Sequence, residues 1–171
     1  MLQAMTAPST LLIVYHSHTG GTLQMVHALQ QGAQQAAEAL HVRLLHASDA
    51  HTKDVLQADA YVFATPENLA AVSGLLKDFF DRTYYGALDR IQGRRYATLI
   101  CAGSDGSNAA RQIARIATGW RLQAVAEPLI VCTYAQTPEA IAAPKQIAEA
   151  DLQACRDLGA SLAAGLEMGI F

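Results

Sequence analysis

Charged residues are scarce: Asp, Glu, Lys and Arg together make up only 16% of the 171 residues. Such a composition excludes a disordered chain, which resists collapse by high charge and low hydrophobicity. The 15 acidic and 12 basic side chains nearly balance, leaving a formal charge of -3. That charge is too small to draw the protein to phosphate backbones or anionic lipid, so neither nucleic acid nor a membrane is an expected partner. Cysteine is equally sparse. Cys101, Cys132 and Cys155 are odd in number and widely spaced, with no Cys-x-x-Cys pair. A disulfide framework or zinc site is therefore not expected, and the three read as reduced thiols of a cytoplasmic protein. No apolar run approaches the roughly 20 residues of a bilayer span, and no basic segment followed by an apolar stretch opens the chain. Neither membrane insertion nor secretion is expected.

What is abundant is apolar: 51% of the residues. A chain of this length suits one domain with a two-sided core, here residues 10–171 behind a loose lead-in at Met1–Ser9. Runs rich in Leu, Ile, Val or Tyr predict buried strands at Thr10–Tyr15, Ala60–Ala64, Tyr96–Ala102 and Ala124–Cys132, with a weaker one at Val42–His46. Apolar residues at spacings of three and four predict helices over 21–40, over 69–80 and over 107–118, the last ended by Gly119. A closing helix is expected over 144–166, started by Pro144. Strand and helix alternate, so the sheet should be mostly parallel, with right-handed crossovers and both faces covered. Open sheets of this kind bind ligands beyond the carboxyl ends of their strands. Three loops are selected by that rule.

The first is Ser17-His18-Thr19-Gly20-Gly21-Thr22, which packs three hydroxyls and two glycines between a strand and a helix. Glycine lets successive N–H groups converge, Ser and Thr add donors, and the helix start adds positive partial charge, a combination suited to phosphate. The same hydroxyls would equally serve as helix caps. Neither the Walker Gly-Lys-Ser/Thr nor the dinucleotide Gly-x-Gly-x-x-Gly spacing is present. The second loop is Thr65-Pro66-Glu67-Asn68-Leu69-Ala70, in which Pro66 stiffens the backbone and Asn68 offers an amide. Glu67 is read either as a carboxylate facing a ligand or as a solvated turn residue. The third is Gly103-Ser104-Asp105-Gly106, whose glycines permit close approach to a flat group. Ser107 or Asn108 is expected to cap the helix that follows, unless the whole segment is simply a glycine-rich turn.

The stretch Ser17-x-Thr19-Gly20-x-Thr22 after the first strand resembles the Thr/Ser-x-Thr-Gly-x-Thr phosphate loop of flavodoxins. The second loop with Ser73-Gly74-Leu75-Leu76-Lys77-Asp78-Phe79-Phe80-Asp81-Arg82 is similar to the corresponding segment of flavodoxin-like NAD(P)H-dependent FMN reductases and quinone reductases. This resemblance implies a flavodoxin-like α/β fold, a doubly wound five-stranded parallel sheet of order 2-1-3-4-5. It implies FMN as cofactor, its phosphate in the first loop and its ring between the second and third. It also implies NADH or NADPH as electron donor, a quinone or similar small-molecule acceptor, and a homodimer or homotetramer. An electron-transfer flavodoxin without its own substrate is the alternative.

Other features carry less. Gly74, in the middle of the expected helix, implies close backbone packing. Lys77, Asp81 and Arg82 suggest an outer polar edge, with an i, i+4 pair between 77 and 81. Six histidines lie in the first third without a ligand-like cluster. Arg111, Arg115 and Arg121 read as a solvated helix face or a contact for an NADPH phosphate. Trp120 is expected in packing or an interface, and Tyr84-Tyr85 in a subunit contact.

Overall fold

The computed structural model describes residues 7–171, so of the expected lead-in residues 1–6 lie outside the described part. The central strand β1 (Thr10–Tyr15) explains the architecture. Leu11, Leu12, Ile13 and Val14 are all fully buried. Because neighbouring side chains point to opposite faces, Leu11 and Ile13 enter one core and Leu12 and Val14 the other. β1 is flanked in parallel by β2 (His41–His46) and β3 (Ala60–Asn68). β5 (Arg95–Ala102) lies beyond β3, followed by β6 (Gln123–Ala124), so the order β2-β1-β3-β5-β6 matches the implied 2-1-3-4-5 winding once the short hairpin strand β4 (Ala71–Val72) is set aside, although the sheet has seven strands in place of five.

Helices α1 (Gly21–Ala36) and α6 (Glu149–Glu167) cover one face, where Met25, Val26, Leu29, Cys155 and Leu162 pack on Leu11, Ile13 and Val62. On the other face α2 (Thr52–Gln57), α3 (Gly74–Ala87) and α4 (Ser107–Gly119) bury Val55, Leu76, Phe79, Phe80 and Ile113 against Phe63 and Tyr61. Trp120 belongs to this core. It stacks on Tyr84 with ring centroids 5.7 Å apart and donates its indole N–H to the Tyr84 carbonyl.

Several boundaries differ from expectation. The fifth strand is not continuous over 124–132: β6 (Gln123–Ala124) and β7 (Leu129–Cys132) pair separately with the two ends of β5. Pro128 lies in the gap, where a missing N–H cannot join the ladder. The second expected helix begins later and runs longer. Leu69 and Ala70 instead form a two-residue turn that reverses β3 into the short antiparallel strand β4 (Ala71–Val72). Ser73 then caps α3, its hydroxyl accepting the Leu76 N–H. Gly74 therefore stands at a helix start, and a Cβ there would meet nothing within 4 Å, so close packing is not its role.

The first helix stops at Ala36 rather than Leu40. The last begins at Glu149, while Pro144 follows a separate short helix α5 (Pro138–Ala142). Lys77 and Asp81 form the expected surface pair at 2.7 Å. Arg82 is more than an outer edge: besides Asp78, it donates to the carbonyls of Ala47 and Ala50, tying α3 to the turn after β2. Among the described residues no helix is long and apolar enough to cross a membrane, and no group of three His, Cys, Asp or Glu is disposed as metal ligands.

Candidate functional site

The carboxyl ends of β1, β3, β5 and β7 open into one cleft of about 510 Å³. Ser17, His18, Thr19, Gly21 and Thr22 line it from the first loop, Pro66, Glu67, Asn68, Leu69 and Ala70 from the hairpin, and Gly103 and Ser104 from the third loop. Three segments far apart in sequence thus meet at one place.

Four expected residues stand behind the lining. Gly20 is the N-cap of α1 and Gly106 the N-cap of α4, both in the left-handed region at φ 89° and 87°. Glycine reaches that region without steric cost and lets each loop turn sharply into its helix. Thr65 is fully buried, and its hydroxyl bonds Ser73, pinning the hairpin to the start of α3. Asp105 faces solvent. The hydroxyl and N–H of Ser107 hold its carboxyl below the usual range.

In the first loop, Ser17 Oγ accepts the Leu23 N–H at 3.2 Å and so acts as a cap for α1. Thr22 differs. It lines the cleft, is 1% exposed, and its Oγ1 has no hydrogen-bond partner. A buried hydroxyl without a partner is costly and marks a place prepared for an acceptor. The first-turn N–H groups of α1 have no acceptor within the helix either, and they add partial positive charge. This end of the cleft can take an oxyanion.

His16 and His18 flank Ser17, and the His16 ring lies 5.6 Å from His46 and 6.5 Å from His18. Burial first, then the His46 and His18 rings, lower the His16 pKa from its ordinary value.

The hairpin has a conformational peculiarity. Leu69 (φ 49°) and Ala70 (φ 60°) are both left-handed, the backbone of a type I′ turn that normally uses Asn and Gly. Leu69 is wholly exposed at the cleft lip. Glu67 neither faces solvent alone nor points freely into the cleft. Its two carboxylate oxygens accept the N–H groups of Gly106 and Ala109 at 2.9 and 3.0 Å. It caps α4 from another segment, which corrects the expectation that Ser107 or Asn108 does so. Asn108 instead donates to the Ala70 carbonyl at 2.6 Å, a second tie between hairpin and third loop.

The cleft also contains residues the sequence reading passed over: Cys101, Thr133, Gln136, Ile141 and Lys145. Applying the strand-end rule to the fifth strand as well would have found Thr133 and Gln136. Cys101 forms part of the floor beneath Gly21, and burial pushes its thiol up to about 11, so it stays neutral.

Comparison with known proteins bears on the family and the fold. A flavodoxin of Aquifex aeolicus is 34% identical over 94 residues, which cover 55% of this chain and 48% of that protein, so the match spans about half of the relative's length. A flavodoxin from the domain Archaea superimposes with a TM-score of 0.74 at 19% identity, covering 92% of this chain and 99% of its own. The WrbA-like flavodoxin from Agrobacterium tumefaciens gives 0.71 at 19% identity, covering 94% and 98%. At those identities the two structures speak for the fold. The family is shown by a longer match, since residues 10–137 fit the model of the NADPH-dependent FMN reductases, and the chain belongs to that family.

Proposed function

We propose that residues 10–171 form one FMN-binding domain that passes electrons from NADPH or NADH to a quinone or similar small acceptor. The observation that carries this reading is the partnerless Thr22 hydroxyl, buried at the oxyanion end of a cleft that the hairpin and third loop complete. Thr19, Gly20, Gly21 and Thr22 would hold the phosphate through N–H and hydroxyl donors, with Ser17 and His18 beside them. The ring would lie between Thr65–Ala70 and Gly103–Gly106, where backbone N–H groups and the Asn68 amide can bond its polar edge.

When bound, FMN would supply the electron chemistry between the nicotinamide donor and the acceptor. The chain's own part is to bind, orient and shield. No side-chain acid, base or nucleophile is required, and none is assigned. Glu67 and Asn108 hold the two ring-bordering loops at a fixed separation. The exposed Tyr85 on α3 fits a contact in a homodimer or homotetramer, which sedimentation would detect.

Anaerobic mixing of FMN-loaded protein with NADPH or NADH tests the reading. Bleaching of the flavin absorbance is expected, and failure with both donors overturns it. A second reading, an electron carrier that takes electrons from a partner protein, is favoured by the Aquifex aeolicus flavodoxin. It predicts no bleaching by either nucleotide but reduction by a protein reductase.

A further inference from the structure

The first loop contains no Lys or Arg, yet the backbone of one lysine from the opposite end of the chain is bonded to it. Lys145 follows α5, lines the cleft beside Ser17–Thr22, and donates its backbone N–H to the Thr19 carbonyl at 2.8 Å. Gln24, one turn into α1, fastens the same segment. Its amide donates to the carbonyls of Gly20 and Lys145, and its oxygen accepts the Ile147 N–H. A Cβ on Gly21 would stand 3.4 Å from the Lys145 Cβ, so the side chain leaves the backbone at the rim of the oxyanion end. The Lys145 charge is felt at the cleft floor, where it opposes the burial that raises the Cys101 thiol.

The ammonium is held by the carbonyls of Ala140, Ile141 and Ala143 at 2.9, 2.8 and 2.6 Å. Two of these carbonyls belong to α5 and the third caps its end, so they are neutral dipoles. A doubly charged phosphate monoester is a stronger acceptor for an ammonium than a peptide carbonyl. A lysine carries this charge on a flexible stem, which makes the exchange a rotamer change rather than a backbone movement.

We propose that Lys145 is the phosphate-recognising cation of this cleft: its ammonium exchanges at least one α5 carbonyl for a phosphate oxygen of FMN and selects FMN over riboflavin. The proposal rests on the assignment of the phosphate to the first loop. In the free protein the same side chain crowns α5, and with ligand it links α5 to the phosphate. Lys145 is a specificity-determining residue, with no role in the electron transfer itself.

The test compares dissociation constants of FMN and riboflavin, by quenching of flavin fluorescence, for the unsubstituted protein, Lys145→Gln and Lys145→Arg. Loss of a hydrogen bond to a charged group predicts that Lys145→Gln weakens FMN by about tenfold or more. Riboflavin affinity stays the same and Lys145→Arg restores most of the FMN affinity. An equal loss for both ligands would show that Lys145 only buttresses α5 and would overturn the proposal, as would no loss for either. The unsubstituted protein supplies an independent reading, because its preference for FMN should shrink as salt rises. A preference insensitive to salt counts against Lys145. Unsubstituted protein that binds riboflavin as tightly as FMN would instead remove the phosphate assignment of the first loop, and this proposal with it.

Discussion

The Glu67 carboxylate accepts the Ala109 N–H at 3.0 Å across 42 positions of sequence, and so a residue of the hairpin caps the helix that follows the third loop. The other carboxylate oxygen takes the Gly106 N–H. One side chain thereby fixes the spacing of two loops that border the cleft, and it fills the positive end of α4 with a charge of the protein's own.

Replacing Glu67 by alanine leaves both N–H groups without this acceptor. Loss of a helix cap typically costs about 0.5–2 kcal/mol, and the upper part of that range is expected here because two bonds are lost. Urea unfolding of Glu67→Ala would measure it. FMN affinity should fall as well, since the hairpin and third loop would no longer be held together; an unchanged midpoint would mean that water replaces the carboxylate without loss.

Gly21 is required by what lies beneath it. A Cβ there would approach the Cys101 sulfur to 2.6 Å. Gly21→Ala should destabilise the fold by about 1–3 kcal/mol, as overpacking does. Cys101→Ala in the same chain should recover much of that loss. A double-mutant cycle in thermal unfolding reads the coupling, and strict additivity of the two changes would refute the contact.

The Leu69-Ala70 turn stores strain that better turn residues relieve. Both residues are left-handed and Leu69 has no packing to lose. Substituting Asn at 69 and Gly at 70 should raise stability by about 1–3 kcal/mol, the scale of such backbone strain. A calorimetric scan showing a higher Tm is the expected result. No rise would mean that the exposed leucine and its backbone are compensated elsewhere in the folded state.

His16 should make stability depend on pH. Burial, with the nearby His46 and His18 rings, holds its folded pKa below the ordinary 6.5. Between the folded and unfolded values the unfolded chain binds more protons, so stability rises with pH there. It is lost as pH falls from 6.5 toward the folded value. Urea midpoints across this window should therefore decline on acidification, and less steeply in His16→Asn. Proton NMR titration of the His16 ring should give a midpoint under 6.5.

The alternation of strand and helix was legible because it depends on local periodicity. Leu11–Val14 is apolar throughout because both its faces are covered, and Gly20 with its neighbouring hydroxyls marks the turn after it. The placement of the three loops followed from topology, since every parallel strand delivers its carboxyl end to the same edge of the sheet. Boundaries were less legible. The apolar spacing of Leu69 and Val72 suits a helix as well as it suits a hairpin, and only the pairing of Glu67 with Val72 and Asn68 with Ala71 decided for the hairpin.

Sequence by itself determined the fold class and the alternation of the main strands and helices, written in short windows of hydrophobic pattern and turn residues. Tertiary structure alone decided how the site is held. The cap that Glu67 places on α4 spans 42 positions, and the bond from Gln24 to the Lys145 carbonyl spans 121. A polar residue shows no periodicity that identifies its partner; its acceptor is settled only when the packed sheet brings distant backbone groups within about 3 Å.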